Sequence, residues 1–127
     1  MDIDLIKISQ IDDQALDFRT VVFRALVPRR INMESTRENW ILLKSLIDGG
    51  ALNLFLDFKE NDLVDSSGIS VIVRASKLIS AKGGRIAAAN INSEMSVVFR
   101  MVNISSLVDI YATETDALDS FRKQDNS

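Results

Sequence analysis

Hydrophobic positions first recur with a period of two. Between Asp2 and Ile11, Ile3, Leu5 and Ile6 stand among polar residues, which predicts a strand. Asp12-Asp13-Gln14 supplies turn chemistry. Phe18 to Val27, carrying Thr20, Val21, Val22, Phe23 and Val27, predicts a second strand of β-branched and aromatic residues. Pro28 ends it, because proline has no N–H to give a central ladder. The period then turns helical. Met33, Thr36, Trp40, Leu43 and Ile47 are spaced 3, 4, 3 and 4 apart and share one face. Asn32 as a cap, or Ser35-x-x-Glu38 as a capping box, sets the start between Asn32 and Ser35. Gly49 or Gly50 suits the left-handed stop.

The alternation continues along the chain. Leu52, Leu54, Leu56 and Phe58 lie on one face of a strand and Phe55 on the other, so both faces are covered and the strand is central. A helix follows from about Ser66 to Gly83-Gly84, with Ile69, Ile72, Val73 and Ile79 as its stripe and Val71, Ala75 and Leu78 widening it. Arg85 to Asn90 is a short strand whose three alanines allow close helix packing. Ser93 can cap a third helix with Met95, Val98, Phe99 and Val102 inward. Leu107 to Tyr111 forms the last strand, and Thr113-x-x-Asp116 opens a final helix carrying Ala117, Leu118 and Phe121. The order β-β-α-β-α-β-α-β-α predicts a single α/β domain over residues 1–122. Its sheet is mixed but mostly parallel, with an N-terminal hairpin strand at the edge and about four helices. The polar tail Lys123 to Ser127 is expected to fray.

Composition narrows the chemistry. The 127 residues suit one domain, and a net charge of −3 argues against a nucleic-acid-binding surface as the main function. Cysteine and histidine are both absent. That removes disulfides, thiolate metal sites, the usual zinc ligand and any Ser-His triad. With no long apolar run and no signal-peptide pattern, the reading is a soluble cytoplasmic domain without a membrane span, cofactor or metal.

One junction stands out. Asp65-Ser66-Ser67-Gly68 lies where a strand gives way to a helix. A helix start leaves backbone N–H groups without partners, carries partial positive charge and tolerates a phosphate. Asp65 or Ser66 can cap it. Gly68 lowers helix propensity by about 1 kcal/mol relative to alanine, which close approach by another backbone or a partner would explain. By itself the tetrapeptide is ordinary cap and turn chemistry. A serine nucleophile has no histidine to activate it and no lysine nearby in sequence.

Placed in the element order, the same residues resemble the STAS-domain family of bacterial anti-sigma factor antagonists, over about Phe18 to Phe121. The resemblance centres on the strand Leu52 to Phe58 and the run from Leu63 to Ile72. Gly83-Gly84, Phe99 and Ile104-Ser105-Ser106-Leu107 follow at family spacing. It implies a non-catalytic binding module whose Ser66 is phosphorylated by a partner that is both anti-sigma factor and serine kinase. Unphosphorylated, the module binds that partner and frees a sigma factor. A serine phosphatase acting on the phosphorylated form restores the unphosphorylated one, and Asn32, Asp65, Ser67 and Gly68 border the contact. Two positions depart from the family pattern. Arg29-Arg30-Ile31-Asn32 stands where many members have Gly-x-Leu-Asp, and Ser70 where many have a second glycine. The altered loop favours the alternative of a STAS subunit in a larger assembly, such as a stress-signalling scaffold or a lipid-transport complex.

Other candidates read more simply. Asp57, Glu60, Asp62 and Asp65 match no calcium loop and read as a solvated acidic surface. Arg29 and Arg30 read as exposed loop charges, and Trp40 and Phe99 as core residues.

Overall fold

The computed structural model describes residues 1–8 and 18–125. The turn expected at Asp12-Asp13-Gln14 lies outside them, as do the last two residues. The chain runs β1 (Asp2–Lys7), β2 (Val21–Leu26), β3 (Arg30–Ile31), α1 (Thr36–Asp48), β4 (Asn53–Asp57), β5 (Leu63–Val64) and α2 (Ser66–Ala81). It continues through β6 (Arg85–Ala89), α3 (Ser93–Met101), a 3-10 turn (Ile104–Ser106), β7 (Asp109–Ile110) and α4 (Glu114–Asp125).

Five strands make the main sheet in the order β1-β2-β4-β6-β7. Only the β1–β2 pair is antiparallel, so the sheet is mixed with its N-terminal strand at one edge. The period-two reading of β4 holds. Leu54 and Leu56 join one core with Leu43 and Ile47 of α1, Ile72 and Ile79 of α2, and Met95 and Phe99 of α3. Phe55 enters the other, with Ala87, Ala89, Ala117 and Phe121. Thus α1, α2 and α3 pack on one face and α4 on the opposite one. Arg85 fastens α4 in place. Its guanidinium lies 4.4 Å from the Phe121 ring centre and donates to Ser120 Oγ and the Tyr111 hydroxyl, each at 3.1 Å.

Several sequence expectations need correcting. Met33 is 82% exposed, because residues 33–35 form a turn before α1 begins. Ser35 makes no side-chain cap bond to the helix. The buried stripe of α2 is Gly68, Val71, Ile72, Ala75, Ser76 and Ile79, with Ile69, Val73 and Leu78 at its half-buried margins. Asn92, not Ser93, caps α3 by accepting from Met95 N at 2.8 Å. Val102 follows the end of that helix and is exposed. Trp40 is half-buried, covered by the Arg74 guanidinium 4.2 Å from its ring centre.

The element order also missed two strands. β3 and β5 form a separate parallel pair, Arg30 opposite Leu63 and Ile31 opposite Val64. Two-residue strands are too short to show a period, so the pattern of hydrophobic positions marks neither.

Candidate functional site

The β3–β5 pair builds the site by bringing the two segments before α1 and α2 side by side. Asp65 N donates to Ile31 O at 3.2 Å, directly beyond the ladder. Asn61 braces the base of both segments: its Nδ2 donates to Pro28 O at 2.7 Å and lies 3.3 Å from both Arg29 O and Leu63 O. Arg29 Nε donates to Asp62 Oδ2 at 2.6 Å across the same gap. From α3, Asn92 Nδ2 reaches Asn61 O and Asp62 O, each at 3.1 Å.

At the head of α2 the neighbouring serines have different environments. Asp65 is the N-cap, its backbone extended (φ −82, ψ −177), and its Oδ1 accepts from Gly68 N at 3.1 Å. Ser67 Oγ donates to the same oxygen at 2.5 Å. The hydroxyl hydrogen of Ser67 is thereby committed, since an ionised carboxylate only accepts. In the 2.8 Å contact between Ser67 and Thr36 Oγ1, Thr36 must then donate. Its one hydrogen is shared with Asn32 O, 2.6 Å away. Ser66, the first residue of α2, is exposed, and among the described residues its side chain has no hydrogen bond. The Ser67 hydroxyl, and next the Gly68 N–H, hold the Asp65 carboxyl below the ordinary aspartate range.

Asn32 stands across from this cap. Its Oδ1 accepts from Glu34 N at 3.0 Å and Ser35 N at 3.1 Å, while Asn32 N donates to Ser35 Oγ at 3.2 Å. This is a reciprocal box with Asn32 as the cap of the turn that leads into α1. Gly68 is buried. A Cβ there would lie 2.5 Å from Val64 Cγ1 and 2.8 Å from Ile31 Cγ2, so its missing side chain makes room for the β3–β5 pair. Asn32, Asp65, Ser66, Ser67 and Gly68 therefore form one structural unit. The sequence reading had placed Thr36 only on a core stripe and had assigned Asn61 and Asn92 no role. Asparagines in loops give no periodic signal of what they bridge.

The acidic cluster does not form one solvated surface. Asp57 is only 1% exposed and accepts from Lys59 N and Asn90 Nδ2, each at 3.0 Å. Asp62 is held by Arg29, so Arg29 is exposed but paired. Among the described residues, no three His, Cys, Asp or Glu side chains are grouped to hold a metal ion. None of the described helices is long and apolar enough to cross a membrane.

The fold is an α/β domain with a mixed sheet and three helices on one face, and the capped start of α2 carries an exposed Ser66 hydroxyl. The chain belongs to the STAS domain family, whose model matches residues 18–117. It is 28% identical over 102 residues to a Thermotoga maritima protein assigned as an anti-sigma factor antagonist, covering 78% of this chain and 89% of the relative. A crystal structure of such an antagonist from Thermotoga maritima superposes with a TM-score of 0.74 at 25% identity, over 86% of this chain and 92% of that one. The Bacillus cell fate determinant SpoIIAA in its phosphorylated form shares the fold, with a TM-score of 0.60 at 21% identity, over 84% of this chain and 95% of that one.

Proposed function

We propose that the protein is an anti-sigma factor antagonist switched by phosphorylation of Ser66. In the unphosphorylated form it binds an anti-sigma factor that is also a serine kinase, and a sigma factor is freed. Phosphorylation at Ser66 ends the contact, and a serine phosphatase resets it. The protein acts in the cytoplasm as a binding module, with Asn32, Asp65, Ser67 and Gly68 shaping the contact around Ser66. ATP belongs to the partner.

The observation that carries this reading is the contrast between the paired serines. Ser66 offers an exposed, unbonded hydroxyl, whereas the Ser67 hydroxyl is held between Asp65 and Thr36. A kinase has immediate access only to the first. The likeness to relatives that are anti-sigma factor antagonists supports the partner class. A phosphoserine adds a charge of about −1.5 to −2 at pH 7. Here it is added beside Asp65 and within a few residues of Asp62, so repulsion and bulk act on the contact without refolding the domain. Exposed Met33 and Leu63, on the two segments that meet at Asp65, supply the apolar part of the surface.

The test is phosphorylation by the partner kinase with ATP, followed by site mapping with mass spectrometry. Phosphate on Ser66 is the expected outcome, and phosphate on Ser67 alone would contradict it. The second reading, a constitutive STAS subunit of a larger assembly, is favoured by the Arg29–Asn32 loop, where Arg29 is tied to Asp62. It predicts a stoichiometric complex that survives phosphorylation.

A further inference from the structure

Ser66 and Ser67 are consecutive residues in the first turn of α2. Their Cα atoms are about 1.5 Å apart along the helix axis and roughly 100° apart around it. Both hydroxyls therefore stand at the helix end on which the proposed kinase acts, and position along the chain alone does not choose between them. The neighbouring helix does. α1 begins at Thr36, whose Oγ1 lies 2.8 Å from Ser67 Oγ and makes no bond to Ser66.

A phosphoryl acceptor needs a free lone pair aimed at the transferred phosphorus and a hydrogen that the kinase's base can take. The carboxylate of Asp65, which accepts from Ser67 Oγ at 2.5 Å, does not remove the first of these. It takes up the hydrogen and leaves both lone pairs of the serine oxygen available. The Thr36 hydroxyl is different, because it donates to that oxygen, occupies a lone pair and ties the side chain to α1. Thr36 is itself anchored 2.6 Å from Asn32 O, so it cannot follow Ser67 toward solvent. Both residues are half-buried, whereas Ser66 is exposed.

We infer that Thr36 is a positioning residue that confines phosphorylation to Ser66, its hydroxyl acting through Ser67 Oγ to keep the second serine turned toward α1. The inference rests on the reading of Ser66 as the phosphorylated residue.

The test has two arms, each comparing Thr36 with Thr36→Ser, which keeps the hydroxyl, and Thr36→Val, which keeps the shape and loses it. The first arm needs no kinase. NMR measures the Hα–Hβ couplings of Ser67, and the same spectra report that each variant is folded. Wild type and Thr36→Ser are expected to show one Ser67 rotamer. Thr36→Val is expected to show an averaged one, because a half-buried oxygen left without its donor is better satisfied by water. Averaging in wild type, or a single rotamer in Thr36→Val, would overturn the inference. In the second arm each form also carries Ser66→Ala and is incubated with the partner kinase and ATP before site mapping by mass spectrometry. Ser67 is expected to take phosphate at least tenfold faster with Thr36→Val than with Thr36 or Thr36→Ser. Equal labelling of Ser67 in all three, or labelling in none, would overturn the role of Thr36. Wild type run alongside keeps the two claims apart. Phosphate on its Ser66 without a gain from Thr36→Val refutes Thr36 alone, whereas wild type that takes no phosphate refutes the Ser66 reading and this inference with it.

Discussion

Ser67 and Thr36 are joined by a hydroxyl–hydroxyl hydrogen bond of 2.8 Å that ties the head of α2 to the head of α1. The bond closes a chain from the Asp65 carboxylate through both hydroxyls to the Asn32 carbonyl. It also separates the roles of two adjacent serines, one structural and one displayed.

Ser67→Ala is therefore expected to cost about 1 kcal/mol of stability, the worth of a half-buried hydrogen bond. Ser66→Ala, at an exposed position, should stay within about 0.5 kcal/mol of wild type. Urea denaturation of both variants measures this. An inverted order would show that Ser67 does not carry the structural role.

Gly68→Ala is a test of close packing against helix propensity. Propensity alone would stabilise α2 by about 1 kcal/mol. The added methyl would press on Val64 and Ile31, both buried in the core, and overpacking of this kind typically costs about 1–3 kcal/mol. The expected result is a lower unfolding midpoint. A higher one would mean that the β3–β5 pair yields easily.

Asp65 makes the head of α2 sensitive to acid. Its folded-state pKa is depressed, chiefly by the Ser67 hydroxyl and then by the Gly68 N–H. Its contribution is thus fully present above the unfolded value of about 3.9 and is lost as pH falls through the lower folded value. Asp65→Asn should remove this component, so the difference in stability between wild type and variant should shrink below about pH 3.9. Thermal unfolding from pH 7 down to pH 2 measures it. A difference that stays constant over that range would show that the carboxylate is not held in its ionised form by these donors.

The parts of this structure legible in the sequence are those with a period. Leu54, Phe55 and Leu56 announced a central strand covered on both faces, and Ala117 and Phe121 the buried face of the last helix. The Asp-Ser-Ser-Gly junction could be placed at a helix start because a strand and a helical stripe flank it. What escaped has no period. The β3–β5 pair is two residues long on each side, and its partners lie 33 positions apart. Asn61 and Asn92 act through backbone carbonyls distant in sequence, which composition does not reveal. Met33 fits the helical spacing of the residues after it, yet Asn32 caps a turn that carries it outward. Asp57 was grouped with its acidic neighbours, although it follows Leu56 into the buried end of β4.

The most direct measurement of the central claim is a paired titration against the partner kinase, using the unphosphorylated protein and the form phosphorylated at Ser66. Ser66→Asp and Ser66→Ala serve as companions. Phosphorylation is expected to weaken binding at least tenfold, mainly through faster dissociation, because charge is forced into a close contact beside Asp65. Ser66→Asp should weaken it less, since aspartate carries one charge and is smaller than phosphate. Ser66→Ala should bind like wild type and resist inactivation by ATP. Equal affinity of the phosphorylated and unphosphorylated forms, with Ser66→Asp also unchanged, would contradict the switch and leave the constitutive subunit as the better account.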